Sequence, residues 1–172
     1  MLEFIASRDH RLMRRVNSWR APRWVRLWMV CATRGGDGWL WYTMLFVILV
    51  FGGDSRFAAI AACATAAALG TVIFLFLKRK TGRRRPCAIA EHCWARLLPP
   101  DQFSFPSGHS ITACAIGVPL SLFYPSLAVG LFFCGFSIAL SRVLLGMHFL
   151  SDVVVGCMMG ALLGYSCYLI YI

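Results

Sequence analysis

Residues 151–171 read SDVVVGCMMGALLGYSCYLIY, a stretch with a single charged residue, Asp152, near its start. It is about as long as the ~20 apolar residues that a helix needs to cross a bilayer. Its glycines recur every four residues and share one helix face: Gly156, Gly160 and Gly164. Small residues on one face let helices approach closely, and His148 extends the same stripe. The pattern predicts a transmembrane helix that packs in a bundle and brings His148 and Asp152 to the membrane boundary.

The composition of the whole chain supports a membrane protein. Of its 172 residues, 59% are hydrophobic and 14% are charged, whereas soluble domains have roughly 45–50% apolar and ~25% charged residues. These values exclude an ordinary soluble domain, and the length predicts one integral-membrane domain over residues 1–172. The net charge is +10, and the basic residues flank apolar segments. This arrangement favours contact with membrane lipids over nucleic-acid binding.

Apolar runs bounded by turns predict an all-α, polytopic transmembrane bundle of about five spans. The predicted spans are residues 38–53, 57–77, 107–123, 126–142 and 151–171. Residues 1–37 carry eight arginines among Trp, Leu and Val, so we expect one or two amphipathic helices lying in the membrane interface. An Arg-rich start without a clean apolar core does not fit a cleavable signal peptide.

The eight cysteines do not indicate a disulfide scaffold. Six lie in or beside apolar segments, where cysteine acts as a small core residue. Cys87 and Cys93 share a polar loop, and whether they pair is left open.

Six ionisable residues are predicted to gather on one side of the membrane. Each lies at a point of the chain reached after an even number of crossings from the first span: Lys78, Arg85, His109, Arg142, His148 and Asp152. Ionisable residues at the ends of apolar helices are costly and are therefore candidates for function.

The types of these residues suit a tetrahedral anion such as phosphate. Arg85 and Arg142 offer planar donor forks, and Lys78 offers a point charge. The PSGH turn at 106–109 opens a helix, so the free N–H groups of Ser107, Gly108 and His109 form an anion site.

His148 and Asp152 are four residues apart and share a helix face. A carboxylate that accepts one ring N–H fixes the tautomer of an imidazole and leaves the other nitrogen free to attack. The spacing therefore predicts a nucleophilic histidine that is oriented by an aspartate.

Three motifs together resemble the signature of the type-2 phosphatidic acid phosphatase superfamily, which includes vanadium haloperoxidases. They are KRKTGRRRP at 78–86, PSGH at 106–109 and SRVLLGMHFLSD at 141–152. The resemblance implies a membrane lipid phosphatase that cleaves a phosphomonoester or diphosphate. The substrates that it suggests are phosphatidic acid, phosphatidylglycerophosphate and a polyprenyl diphosphate such as undecaprenyl diphosphate.

The resemblance also implies a role for each matching residue. His148 would form a phosphohistidine, Asp152 would orient it, and His109 would protonate the leaving lipid oxygen. The phosphate-binding set would be Lys78, Arg85, Arg142, Ser107 and Gly108. Neither a metal ion nor another cofactor is expected, because fixed cations neutralise the phosphate.

Two other functions remain open. The same cage of cations could hold vanadate in a haloperoxidase, although apolar spans argue against it. The chain could also be a lipid-phosphate-binding protein without catalysis, although its complete set of imidazoles and carboxylate argues otherwise.

Several polar residues are given simpler roles. We expect Arg79, Lys80, Arg83 and Arg84 to anchor lipid headgroups, and we expect Asp37 to form a turn only. By the positive-inside rule, the arginines favour a site on the cytoplasmic face of the inner membrane, whereas many bacterial members of the family act on the periplasmic face.

Overall fold

The computed structural model of the protein describes residues 2–89 and 102–172, and this part of the chain is built from α-helices. Their bounds are α1 Leu2–Ser18, α2 Arg23–Gly36, α3 Trp39–Phe51, α4 Arg56–Thr81, α5 Pro86–Ile89, α6 Gly108–Phe123, α7 Ala128–Leu144 and α8 Leu150–Tyr171. Two 3-10 turns, Gly53–Ser55 and Pro125–Leu127, join neighbouring helices. The all-α prediction is confirmed. The open question of a Cys87–Cys93 pair lies outside the described residues, because Cys93 is not among them.

The Arg-rich segment forms two helices, as predicted, but α2 does more than cover the surface. Its buried residues recur every three or four positions, namely Val25, Met29, Thr33 and Gly36. Val25 and Met29 pack against Leu145 and Met147 beyond the end of α7. One face of α2 therefore belongs to the protein interior, where it supports the loop that carries His148.

The five apolar helices predicted from the sequence are present, with different lengths. Within the described ranges, three helical segments are long and apolar enough to cross a membrane: Gly53–Thr81, Pro125–Leu144 and Leu150–Tyr171. Two of the predicted spans, α3 and α6, form shorter apolar helices of 13 and 16 residues. At 1.5 Å per residue, both fall short of the ~30 Å hydrocarbon core.

The α4 helix runs one turn beyond the predicted end at residue 77. Its last turn holds Lys78, Arg79 and Lys80, whose positive charges suit the negative end of the helix dipole. Gly82 ends the helix with a φ of +57°, a left-handed conformation that glycine adopts without steric cost. Lys78 therefore lies on a rigid helix and not in a loop.

Close packing of α6 against α8 forms the centre of the bundle. A Cβ atom on Gly156 would lie 2.8 Å from the Ser107 carbonyl oxygen, and one on Gly164 would lie 2.9 Å from Cδ of Pro119. A Cβ on Gly160 would overlap the Ile111 carbonyl group. The predicted close-approach face is confirmed, and it fixes the start of α6 beside the start of α8.

Candidate active site

His148 lies in the short loop between α7 and α8 and is only 3% exposed. Its Nδ1 atom is 2.5 Å from the carbonyl oxygen of Ser104. Because a carbonyl can only accept a hydrogen bond, Nδ1 carries the ring proton and Nε2 keeps its lone pair. Nε2 lies 3.1 Å from Nη1 of Arg85. The geometry therefore presents an unprotonated nitrogen beside a fixed cation.

The backbone of the loop is held by Arg142, the last basic residue of α7. The N–H groups of Met147 and His148 both donate to the Arg142 carbonyl oxygen at 3.0 Å. The Arg142 side chain is buried, and its Nη1 donates to Oγ1 of Thr33 at 2.5 Å. Helix α2 thus contributes directly to the position of this guanidinium.

Asp152 does not make the hydrogen bond to His148 that the sequence predicted. Its Oδ2 is 3.8 Å from Nδ1 of His148, which is too long for a hydrogen bond. Oδ2 instead accepts the N–H of Phe149 at 2.9 Å, which caps the start of α8. The Ser104 carbonyl takes the orienting position that the sequence assigned to Asp152, because the 102–107 segment folds back over the imidazole.

Burial lowers the pKa of His148 well below its ordinary value near 6.5. The positive charges of Arg142 and Arg85 lower it further, while the bond to Ser104 opposes the shift. The imidazole is therefore neutral at pH 7, which is the form a nucleophile requires.

Arg85 is almost fully buried and is held by the same loop. Its Nη1 donates to the Met147 carbonyl oxygen at 2.9 Å, and the N–H of Cys87 donates to the Gly146 carbonyl oxygen at 3.0 Å. These hydrogen bonds join residues 85–87 to residues 146–148. This contact brings the first and third sequence motifs into one site.

The PSGH turn lies beside α8, with one departure from the prediction. The Ser107 N–H donates to the Asp152 carbonyl oxygen at 3.1 Å, so this N–H is not available to an anion. Gly108 and His109 occupy the first turn of α6, where N–H groups have no acceptor within the helix. The predicted anion site is therefore reduced to the N–H groups that follow Ser107.

Lys78 approaches the same turn from α4. Its Nζ lies 4.5 Å from the centre of the Phe74 ring. A Cβ on Gly108 would be 3.3 Å from that ring, so Phe74 packs closely against the turn. The absence of a side chain at Gly108 thus lets the Phe74 ring of α4, over which the Lys78 ammonium lies, pack against the start of α6.

His109 pairs with a residue that was predicted only to form a turn. Its Nε2 lies 2.8 Å from Oδ1 of Asp37, in the GGDG segment between α2 and α3. The two side chains are 23% and 44% exposed, so the pair faces the outside of the bundle. Asp37 therefore has a partner in the candidate site.

Arg83 is half-buried and paired with two acids, so the expectation that it anchors lipid headgroups was wrong. Nη1 donates to Oδ1 of Asp152 at 2.5 Å and to Oγ of Ser151 at 2.7 Å. Nη2 donates to Oδ2 of Asp9 in α1 at 2.8 Å. Asp9 also accepts from the Ser151 hydroxyl, so α1 is tied to the start of α8.

An apolar groove of about 570 Å³ opens between α3, α4 and α6. Asp37 and His109 lie on its wall together with Gly108. The rest of the wall includes Trp41, Leu45, Ala67, Ala68, Thr71 and Ile116. The groove has the size and lining of a site for an apolar ligand, and the residues of the candidate site that line it are Asp37, Gly108 and His109.

The structure brings most of the predicted site residues together, and it adds three that the motifs do not contain: Asp9, Asp37 and Ser104. Arg83 lies within the first motif, but it was predicted only to anchor lipid headgroups. Asp9 could have been identified from the sequence, because it is an acid among the arginines of an amphipathic helix. Asp37 carries a weaker indication, because it is an acid between glycines. No side-chain pattern could reveal Ser104, because its carbonyl group makes the contact.

No group of three His, Cys, Asp or Glu residues within 2–89 and 102–172 has the arrangement to hold a metal ion.

Comparison with known proteins relates this geometry to a family. The profile of the PAP2 superfamily matches residues 57–172. A lipid A 1-phosphatase from Rhizobium johnstonii is 29% identical over 147 residues, which are 74% of this chain and 59% of that protein. A decaprenylphosphoryl-5-phosphoribose phosphatase from Mycobacterium tuberculosis is 40% identical over 102 residues, 54% of this chain and 50% of that protein. The chain thus spans about half to three fifths of the length of these relatives.

Two crystal structures have the same fold. Aquifex aeolicus LpxE superposes with a TM-score of 0.77 and 28% identity, covering 91% of this chain and 92% of that one. A transmembrane PAP2-type phosphatidylglycerolphosphate phosphatase from Bacillus subtilis gives 0.73 and 23% identity, covering 95% and 84%. The membrane-protein prediction agrees with these neighbours and with the three long apolar helices.

Proposed function

The chain belongs to the PAP2 superfamily, and from this premise we propose that it is a membrane lipid phosphatase. It removes a phosphomonoester or diphosphate group from a lipid through a phosphohistidine intermediate, without a metal ion. The names of its two relatives, each a phosphatase of a lipid, support this reaction class. Candidate substrates are phosphatidic acid, phosphatidylglycerophosphate and polyprenyl diphosphates such as undecaprenyl diphosphate.

The observation that carries the proposal is the state of His148. Its ring proton is directed to the Ser104 carbonyl, and its unprotonated Nε2 accepts a hydrogen bond from the Arg85 guanidinium. A phosphate drawn to Arg85 and Arg142 meets this lone pair, while Lys78 and the first turn of α6 offer further positive charge. Such fixed donors stabilise the charge of a phosphoryl transition state.

The first chemical step transfers the phosphoryl group to the protein. Nε2 of His148 forms a bond to phosphorus, and the bond from phosphorus to the lipid oxygen breaks. His109 gives a proton to that oxygen, and the dephosphorylated lipid leaves. Asp152 has a positioning role, since it caps α8 and holds Arg83.

The second step regenerates the protein. Neutral His109 takes a proton from water, and the water oxygen forms a bond to phosphorus. The bond from phosphorus to Nε2 breaks, and the electron pair returns to His148. Inorganic phosphate leaves, and His109 is again protonated.

The apolar groove supports a lipid as the substrate. It extends from His109 along α3 and α4, so a chain attached to the leaving oxygen lies against alanines and aromatic residues. The site is at the boundary of a multi-pass inner-membrane protein. The arginines of residues 1–37 favour the cytoplasmic face.

Phosphate release from a panel of lipid phosphates by the detergent-purified protein tests the proposal. We expect release by the wild type, and a loss of at least ~10³-fold in His148→Ala. Thermal unfolding of both proteins checks that the fold is kept. A radiolabelled phosphate attached to the wild type through an acid-labile bond would identify the intermediate. Near-normal activity of His148→Ala would contradict the nucleophile.

Two additions to the assay separate the other functions. Vanadate should inhibit a phosphatase, whereas it should activate a haloperoxidase, which would then oxidise bromide. EDTA should leave phosphate release unchanged, and strong inhibition would indicate a metal ion. Lipid binding without phosphate release by the wild type would favour a binding protein.

A further inference from the structure

We propose that Asp37 is a positioning residue that holds His109 as the proton donor for the leaving lipid oxygen. This inference rests on the proposed function and assigns a part of the reaction to the GGDG turn, which lies outside all three sequence motifs. It is carried by a hydrogen bond, by the shape of the turn around the imidazole, and by the position of the pair on the groove wall.

The hydrogen bond determines which ring nitrogen can act. Oδ1 of Asp37 is 2.8 Å from Nε2 of His109, and a carboxylate can only accept, so Nε2 carries a proton. The other nitrogen, Nδ1, is then the one that can deliver a proton to a substrate. Only the imidazolium has a proton on Nδ1. Burial and the positive charge of Arg142 lower the pKa of His109, whereas the hydrogen bond to Asp37 opposes this shift and so favours the form that can donate.

The turn is shaped around the imidazole. A Cβ on Gly36 would lie 2.9 Å from Cδ2 of His109 and 2.9 Å from Cγ2 of Ile138, so the imidazole and Ile138 together occupy the space that any other residue would fill. Gly38 has a φ of +123°, a conformation that residues with a side chain rarely adopt. Glycines on both sides of Asp37 therefore let the chain pass close to the ring with its carboxylate in reach.

The position of the pair matches the leaving group. Asp37 and His109 both lie on the wall of the apolar groove, the space that accepts the lipid chain. The oxygen that breaks from phosphorus is attached to that chain, so its proton must come from this side. When the phosphorus–oxygen bond breaks, the proton moves from Nδ1 to the oxygen, and the ring remains bonded to Asp37 through Nε2.

A comparison of two leaving groups tests this role. Phosphatidic acid releases an alkoxide, which needs a proton, whereas an alkyl-substituted nitrophenyl phosphate keeps an apolar tail and releases a stable phenolate. For Asp37→Asn we expect kcat on phosphatidic acid to fall about 10- to 100-fold, with little change in KM. On the nitrophenyl substrate, kcat should change less than ~2-fold. Asp54→Asn, in the turn between α3 and α4, is the matched control and should behave as the wild type.

A second variant keeps the test decisive if Asp37→Asn folds poorly. Gly36→Ala leaves the carboxylate in place but puts a methyl group against the imidazole and Ile138, so it should show the same selective loss, with thermal unfolding to check that the fold is kept. Equal losses on both substrates, or none on either, would overturn the inference while His148→Ala still tested the nucleophile. A wild type that releases phosphate neither from the nitrophenyl substrate nor from any member of the lipid-phosphate panel would overturn the proposed function itself, and this inference with it.

Discussion

Arg83 and Asp152 form an ion pair, with Nη1 of the arginine 2.5 Å from Oδ1 of the aspartate. The Asp152 side chain is fully buried, whereas that of Arg83 is 27% exposed. The guanidinium also binds Asp9, so α1, α8 and the loop after α4 meet at one cation. A buried carboxylate is costly unless it is paired, so the pair stabilises the start of α8 and thereby the loop of His148.

Removal of the guanidinium should weaken both the fold and the activity. Arg83→Ala leaves two buried carboxylates without their cation, and we expect a loss of about 2–4 kcal/mol in the free energy of unfolding. Arg84→Ala removes an exposed neighbour in the same RRR segment and should change stability by less than ~0.5 kcal/mol. Thermal unfolding in detergent and phosphate release measure both effects. Equal stability and activity of the two variants would show that the ion pairs of Arg83 do not stabilise the fold.

The titration of His148 should occur below that of an ordinary histidine. Because its pKa is lowered, the folded state binds fewer protons than the unfolded state just below pH 6.5. This group's contribution to stability is therefore complete above pH 6.5 and is lost as the pH falls. ¹⁵N NMR of labelled imidazoles, assigned with His148→Ala, should show a neutral ring with its proton on Nδ1 at about pH 6. A cationic ring at that pH would contradict the burial argument.

Alanine substitutions of glycines test whether the glycine face of α8 (Gly156, Gly160 and Gly164) is needed for close packing against α6. Gly160→Ala would place a methyl group against the Ile111 carbonyl and should cost about 1–3 kcal/mol. In α7, a Cβ on Gly135 would meet nothing within 4 Å, so Gly135→Ala should be neutral or stabilising by about 0.5–1 kcal/mol. Thermal unfolding of the two variants gives the comparison. Similar destabilisation of both would argue against tight contact between α6 and α8.

The groove should determine the affinity for the lipid chain. Ala68→Phe fills part of the wall, so we expect KM for a long-chain lipid phosphate to rise about tenfold, while short-chain substrates are affected little. Val72→Phe adds the same ring to an exposed position of α4 that does not line the groove. This variant should match the wild type. A chain-length profile of KM for the three proteins decides whether the groove binds the tail.

The sequence predicted the residues whose side-chain type and spacing carry the information. The glycine periodicity of α8 indicated the face that packs on α6, and the three motifs indicated the cluster around His148. Five apolar runs also indicated the right helices. The predicted runs at 38–53 and 107–123 were already shorter than the ~20 residues of a full span, as α3 and α6 are in the structure.

The sequence could not predict contacts that depend on how distant segments pack. Asp9 and Arg83 are more than 70 residues apart in sequence. They meet only because α1 folds against the start of α8. Asp37 reaches His109 only because the turn before α3 lies over the start of α6. The motif spacing pointed to Asp152 as the partner of the imidazole, and the return of the 102–107 segment replaced it with a peptide group.

That peptide group has an evolutionary consequence. A carboxylate that aligns a ring can be erased by one nucleotide change, but every amino acid has a carbonyl. The alignment of His148 by residue 104 is therefore insensitive to the identity of the side chain there, provided that the main chain keeps its path. Variation at this position is tolerated to the extent that a new side chain fits its completely enclosed surroundings and makes up for the hydrogen bond from the Ser104 hydroxyl to the Arg84 carbonyl oxygen.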